Sequence, residues 1–403
     1  MRFIALVALT SASVGATGCA ALAQADEWPG GAGGAGGAGG AASRTYFVSV
    51  DGDDANPGTE AAPFRTISYG VSVLVPSEAL VVKEGLYEET LGSNVPAGLS
   101  WERPITIQAH PGDIVTLSSP DGVSGPIVLV APEQRYVEIE GFVIDGGTLT
   151  EVPPITIESY IRLRSCEIKN SPVFGVYLMN IEEIEDEGHN ELIDLSVHHN
   201  AGGGINIASS DNLVEGCLVH ENGGGVGASA LMVYSQYGSD RNVIRNNRIH
   251  SNDSASDLLL TSGIEHLAYN NLLHGGGGDG IRIDYGAERV RILNNSVFGK
   301  PGMGIVVQPS ADTGSAADTQ VTNNIAYQCG ENYFDWGTGT VASNNLFTAN
   351  PLFAAPASAD FQLRDGSPAI DTGATLPEVT TDLAGTARPK GDGYDMGAFE
   401  RAP

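Results

Sequence analysis

Asn270-Asn271-Leu272-Leu273-His274 is followed by Gly280-Ile281-Arg282-Ile283, and Asn294-Asn295-Ser296-Val297-Phe298 by Gly304-Ile305-Val306-Val307. The chain here says the same thing twice. The doublet also occurs as Asn246-Asn247, Asn323-Asn324 and Asn344-Asn345. From Asn247 to Asn345 there are 98 residues in four steps, about 24 per step. Earlier turns keep the frame with Cys217, Leu195 and Cys166 at the marker. An apolar strand follows ten residues later: Cys166 leads to Val176, Leu195 to Ile205, Asn271 to Ile281 and Asn295 to Ile305. Asn247 leads to Leu258 by eleven, and Cys217 to Leu231 by fourteen, because the glycine-rich run 223–227 lengthens that turn.

A period in the twenties with short alternating strands predicts a solenoid. Each turn is too small to bury its apolar face alone, and stacking at about 4.8 Å per strand makes a continuous core. Asparagine suits one column because it tolerates the left-handed backbone of a tight turn. Its amide can also bond to the turns above and below as a ladder. The period, the asparagine column and the Gly-Ile-x-Ile strands resemble the right-handed parallel β-helix of the pectin-lyase-like superfamily. The expected fold is therefore all-β, a parallel β-helix with three strands per coil. The right-handedness is what the resemblance implies.

Two flanking segments extend the likeness. Tyr46-Phe47-Val48-Ser49-Val50-Asp51-Gly52, Asn56-Pro57-Gly58-Thr59, Pro63-Phe64-Arg65-Thr66-Ile67 and Val82-Lys83-Glu84-Gly85-Leu86-Tyr87 resemble the N-terminal module of secreted bacterial β-helix proteins. Thr66 to Val75 reads as a short helix capping the first coil, since an open strand edge invites aggregation. Asn350-Pro351-Leu352-Phe353, Ser367-Pro368-Ala369-Ile370-Asp371 and Asp395-Met396-Gly397-Ala398-Phe399-Glu400 are similar to a closing segment of such proteins. The organisation read from this is a signal peptide over 1–23, a Gly/Ala-rich linker over 24–44, a cap module over 45–100, the β-helix over 101–353 and a closing segment over 354–403.

The leader opens with Met1-Arg2 and an apolar run too short to span a bilayer. Two processing sites compete. Ala16-Thr17-Gly18-Cys19 resembles a lipoprotein box, with Cys19 as the lipidated residue, although leucine usually stands where Ala16 does. Ala21-Leu22-Ala23 suits ordinary signal cleavage. Either route exports the protein, to the outer membrane through a lipid anchor or to the periplasm or exterior. Removing Cys19 leaves Cys166, Cys217 and Cys329, which is no disulfide framework; buried free thiols are expected.

Glycine accounts for 53 of 403 residues, and charged residues for 17%, against about 25% in an average domain. Twenty basic against 49 acidic residues gives −29. That balance excludes nucleic acid as a partner, because counterion release needs a basic face. It also argues against a polyanionic glycan unless Ca²⁺ bridges it. The expected partner is a polysaccharide and the expected state a monomer.

Chemistry is expected on the outer face of the Gly-Ile-x-Ile strand, where the cleft of pectate lyases lies. The insertions 180–190, 235–240 and 309–318 follow this strand. Ile281 and Ile283 point inward, so Arg282 and Asp284 point out. Asp279, Arg282 and Asp284 form the candidate catalytic set, two carboxylates as acid and base with a guanidinium anchor. Tyr177, Tyr234, Tyr237 and Tyr285 are candidates for stacking on sugar rings. The acidic run holding Glu183, Glu185, Asp186 and Glu187 is a candidate Ca²⁺ site, with a solvated charge run as the alternative. His198, His220, His250 and His274 share one outward column with Lys169, Phe298 and Tyr327, as a side-chain ladder or a transition-metal site. No lysine sits on the Gly-Ile-x-Ile column, so the basic proton abstractor of pectate lyases has no counterpart there. The reading is a polysaccharide lyase or glycoside hydrolase, with a non-catalytic glycan-binding or adhesion lipoprotein as the alternative.

Overall fold

Val137-Glu138-Ile139-Glu140 and Ile161-Arg162-Leu163-Arg164 show the unit of construction: every aliphatic side chain is fully buried and every charged one is half-exposed. Such segments are too short to persist alone. They persist here because each pairs, in parallel, with its equivalent one coil away. The structure is a computed structural model that describes residues 44–180, 187–224, 228–234, 239–310 and 314–401. The side chains of 309, 310, 314 and 315 also fall outside the description. The signal peptide, Cys19 and almost all of the linker lie outside the described residues.

Three parallel sheets run along the solenoid, with twelve, ten and nine strands. The twelve-stranded sheet begins at Thr45–Val48, inside the cap segment, and ends at Val341–Ser343. The ten-stranded sheet runs from Gly85–Glu88 to Ile325–Tyr327. The nine-stranded sheet contains the Gly-Ile-x-Ile strands, from Val128–Val130 to Glu331–Asp335. Its register aligns Val176, Ile205, Leu231, Leu258, Ile281 and Ile305, so the irregular offsets of ten, eleven and fourteen are absorbed in turns. The aliphatic interior is one continuous cluster from Val48 to Ala326.

The asparagine doublet divides its two expected properties between its two members. The first takes the left-handed backbone, with φ near +50 to +61° at Asn246, Asn270, Asn294, Asn323 and Asn344. The second, fully buried at Asn247, Asn271, Asn295 and Asn324, builds the continuous ladder, to which the first adds two bonds of its own, Asn270 Nδ2 to Asn246 Oδ1 (3.3 Å) and Asn323 Nδ2 to Asn294 Oδ1 (3.2 Å). Asn271 donates from its backbone N–H (3.0 Å) and its Nδ2 (2.9 Å) to Asn295 Oδ1, and from Nδ2 to the Ile244 carbonyl (2.8 Å). That satisfies amide groups that would otherwise each cost about 1–3 kcal/mol in a dry interior. Two further ladders occupy the other corners: Asn190-Asn212-Asn242 and Asn200-Asn222-Asn252. In the latter column Gly276 follows Asn252, and Lys300 comes next. The Lys300 ammonium reaches back to Asp257 Oδ2 (2.7 Å) and the Gly275 carbonyl (2.6 Å), with both charged side chains fully buried.

The closing segment packs beside the last coils. Phe353, Phe361, Leu363, Met396 and Phe399 cover Leu272, Ile325 and Leu346. The first asparagines of the doublets hold it: Asn270 Nδ2 donates to Thr381 O, Asn294 Nδ2 to Asp395 O, Asn323 Nδ2 to Ala374 O and Asn344 Nδ2 to Thr372 O. Inside it, Arg388 Nη1 donates to Glu400 Oε2 at 2.6 Å.

The capping helix is shorter than the sequence suggested, Ile67–Ser72. Thr66 Oγ1 accepts from Tyr69 N at its start, and Pro76 disfavours helix at Val75. Gly70 is required by a close approach, since a β-carbon there would lie 2.7 Å from Leu80 Cδ1. No helix among the described residues is long and apolar enough to cross a membrane.

Candidate functional site

Alternation in the nine-stranded sheet leaves two outward columns. One runs Thr156, Tyr177, Asn206, Met232, Leu259, Arg282, Val306, Phe334. The other takes the position two residues on: Glu158, Met179, Ala208, Tyr234, Thr261, Asp284, Gln308, Trp336. The three insertions leave the sheet at this edge. Residues 181–186, 235–238 and 311–313 of those insertions are outside the described residues, and with them Tyr237, Glu183, Glu185 and Asp186. Glu187 is described and half-exposed.

The strand Asp279–Asp284 brings the candidate catalytic set together. Arg282 donates to Asp284 Oδ2 from Nε (3.1 Å) and Nη2 (2.8 Å), to Gln308 Oε1 from Nη2 (2.7 Å), and to Asp279 Oδ2 from Nη1 (3.4 Å). Four of the five guanidinium N–H groups are thus engaged. The carboxylates are equally occupied: Asp284 Oδ1 accepts Tyr285 N at 2.8 Å, and Asp279 Oδ1 accepts Met303 N at 2.7 Å. Outward-pointing Asp284 is only 3% exposed. The Arg282 side chain keeps about a third of its surface open, at 31%. This arrangement is a hydrogen-bonded ion-pair knot. It can offer a guanidinium edge to a ligand, and neither carboxylate is free for proton transfer without breaking it.

Aromatic residues flank the knot. Tyr234 is 46% exposed, Tyr285 47% and Trp336 53%, while Tyr177 is half-buried. Trp336 was not singled out from the sequence, although the repeat offset carries the column one coil past Gln308. Towards the other end of the face lies Glu158, 5% exposed, whose Oε2 has no hydrogen-bond partner among the described residues. Burial, with the Glu133 and Glu187 charges nearby, pushes its carboxyl up to about 7. Sequence reasoning missed it, because Glu158 precedes the first marker residue of the repeat. Asn206 Oδ1 is likewise unpartnered.

On the ten-stranded sheet the four histidines stack, with ring centroids 4.9, 5.2 and 5.0 Å apart and planes within 24° of parallel. Phe361 of the closing segment caps His274 at 4.8 Å. Among the described residues no group of three or more His, Cys, Asp or Glu side chains is arranged to hold a metal ion. Cys166, Cys217 and Cys329 are free thiols; burial raises the first two to about 11 and about 12. They are inert packing residues.

A family model described as the right handed beta helix region matches residues 142–312 and, in an overlapping match, 181–350. The fold is similar to that of pectate lyase Pel9A, with a TM-score of 0.60 at 14% identity, covering 90% of this chain and 97% of that one. It is also similar to XylC in complex with xylose, with a TM-score of 0.59 at 10% identity, covering 88% and 98%. In sequence, the uncharacterized protein YwoF of Bacillus subtilis (strain 168) is 24% identical over 147 residues, 36% of this chain and 30% of that protein. At these identities the structural likenesses establish the fold.

Proposed function

The chain belongs to the right-handed β-helix family, whose model covers half of it, and from that premise we propose that it engages a polysaccharide along the outer face of the nine-stranded sheet. The observation that carries the reading is the row of exposed aromatic rings at Tyr234, Tyr285 and Trp336 around the half-open Arg282. Flat rings with one wet face suit the apolar faces of sugars, and a guanidinium edge suits their hydroxyls. The solved neighbours named for pectate lyase and for a xylose complex support a carbohydrate ligand by analogy. We further propose that the leader exports the protein and that Cys19 carries a lipid anchor to the outer membrane. In this reading the Arg282 knot binds and orients, since its carboxylates are committed to Arg282 and to backbone N–H groups.

The test is a panel of soluble neutral and acidic polysaccharides, measured by calorimetry and by release of reducing ends. Tyr234→Ala and Trp336→Ala are each expected to weaken binding about 5- to 10-fold, the equivalent of about 1 kcal/mol. Thermal stability should not change. Unaltered affinity in both variants overturns the assignment of the face. Turnover is the second reading, and the lone carboxyl of Glu158 is the observation that favours it.

A further inference from the structure

Buried polar atoms in folded proteins are almost always hydrogen-bonded, and an exception calls for a partner from outside. Among the described residues, two such exceptions lie on the outer face of the nine-stranded sheet, Glu158 Oε2 and Asn206 Oδ1. They are close in the stack. Glu158 follows Thr156, which pairs with Tyr177, which pairs with Asn206. Three consecutive coils at about 4.8 Å each bring them within the length of two or three sugar rings. A carboxylate at Glu158 would be buried without a counter-cation, at a cost of several kcal/mol, so the group avoids that cost by keeping its proton. A neutral carboxyl has one O–H to give, and among the described residues Oε2 finds nothing to bond. Asn206 Oδ1, one coil beyond Tyr177, is an acceptor in need of a donor. A sugar hydroxyl is both.

We propose that Glu158, Tyr177 and Asn206 form a glycan subsite at the N-terminal end of the face, in which Glu158 as a neutral carboxylic acid donates a hydrogen bond to a ligand oxygen and Asn206 accepts one from a ligand hydroxyl. This deepens the proposed function and rests on it. The ligand class follows from the surroundings. The charges acting on Glu158 are Glu133, in the turn after Val128–Val130, and Glu187, ahead of Glu191–Ile193, and both are acidic. Tyr177, on the neighbouring strand, adds a phenol raised further by burial and therefore uncharged. A polyuronate would meet the repulsion of these carboxylates, whereas an uncharged, hydroxyl-rich chain would not. Binding is therefore strongest where Glu158 holds its proton and weakens once it ionises.

The experiment is calorimetric titration of the whole protein with a neutral polysaccharide and a polyuronate, at pH 5.5 and 8.5. The neutral chain is expected to bind wild type about tenfold more tightly at the lower pH, one hydrogen bond to the neutral acid. Glu158→Gln, whose amide still donates, should bind equally at both. Glu158→Ala should lose about tenfold at pH 5.5 and show no pH dependence. If Tyr234→Ala and Trp336→Ala lose affinity while Glu158→Ala matches wild type, the face binds glycan and this subsite is wrong. A polyuronate that binds more tightly than the neutral chain also overturns it, and no binding by any polysaccharide overturns both readings. Independently of any ligand, the infrared difference between wild type and Glu158→Gln at pH 6 should contain the band of one neutral carboxylic acid, over and above any from other buried carboxyls such as Asp257. No such band in the difference refutes the protonated state.

Discussion

The two ends of one sheet face solve the burial of charge in opposite ways. Around Arg282 the carboxylates and four of the five guanidinium N–H groups are answered: two aspartates, a glutamine and two backbone N–H groups close on one another. At Glu158 the carboxyl is left without a partner on Oε2 among the described residues. In the sequence the Arg282 end has the makings of chemistry; in the folded chain its carboxylates are tied to Arg282 and to backbone N–H groups, and only the guanidinium keeps an open edge. At the other end nothing in the sequence singles out Glu158, yet in the folded chain its buried carboxyl holds an oxygen without a partner among the described residues. Polar residues already paired with one another are stable and spent, whereas unpaired buried ones hold free energy in reserve for a ligand.

Removing the guanidinium is the most severe way to break this contrast. Arg282→Met leaves Asp284, almost fully buried, and Asp279 as neighbouring carboxylates without their cation. A loss of about 3 kcal/mol is expected, the low end for breaking a buried pair, measured as a lower unfolding midpoint. If Arg282→Met unfolds like wild type but loses ligand affinity, the knot is a binding device only and the two ends are more alike than described.

The contrast also explains what could be read in advance. Asp279, Arg282 and Asp284 lie within six residues, so their meeting is visible in the chain. The partnerless state of Glu158 depends on residues brought beside it by stacking, with Glu133 and Glu187 more than twenty residues away on either side, and no local pattern records that. The ladders divide in the same way. Asn271 was legible because the doublet repeats at even spacing. Asn190-Asn212-Asn242 and Asn200-Asn222-Asn252 are single asparagines whose spacing jumps from 22 to 30 residues at the insertions, which hides the column. The doublet itself was half-legible. The need for left-handed backbone and the need for a ladder amide point to one position in the sequence, whereas in the folded chain the first asparagine takes the left-handed backbone and the second carries the continuous ladder, with the first adding only two such bonds. The first one also holds the closing segment, whose docking depends on contacts 28 to 111 residues away in sequence.

Glu158 sharpens the comparison through pH. Its folded carboxyl is raised from an ordinary value of 4.5 to about 7. The folded state therefore binds the proton more tightly than the unfolded chain between those values, and stability falls as pH rises from 4.5 to 7. The expected fall between pH 5 and pH 8 is about 2 kcal/mol, from the linkage of one such group. Glu158→Gln should remove that slope, so that the variant equals wild type at pH 5 and exceeds it at pH 8. A variant destabilised at both values would show that the carboxylate is satisfied in a way the comparison denies.

The imidazole column must be separated from that slope, because it acts in the opposite direction over an overlapping range. His274 is lowered to about 4, first by burial and then by His250, Lys300 and Arg248. A depressed histidine contributes stability above its unfolded value of 6.5, which is lost as pH falls from there towards 4. Phe361 on its other face offers no acceptor for a charged ring. His274→Phe continues the aromatic column towards Phe298 and removes one titrating ring. After allowance for solvent screening of a half-buried group, it should recover about 1 kcal/mol at pH 5 and change little at pH 8. Combined with Glu158→Gln, it should leave a flatter stability profile across pH 5 to 8 than either change alone. The two groups share no contact, lie on different sheets and should add. If the double variant instead departs from additivity, the two sheets communicate through the core, and the Glu158 end of the outer face does not act independently of the imidazole column.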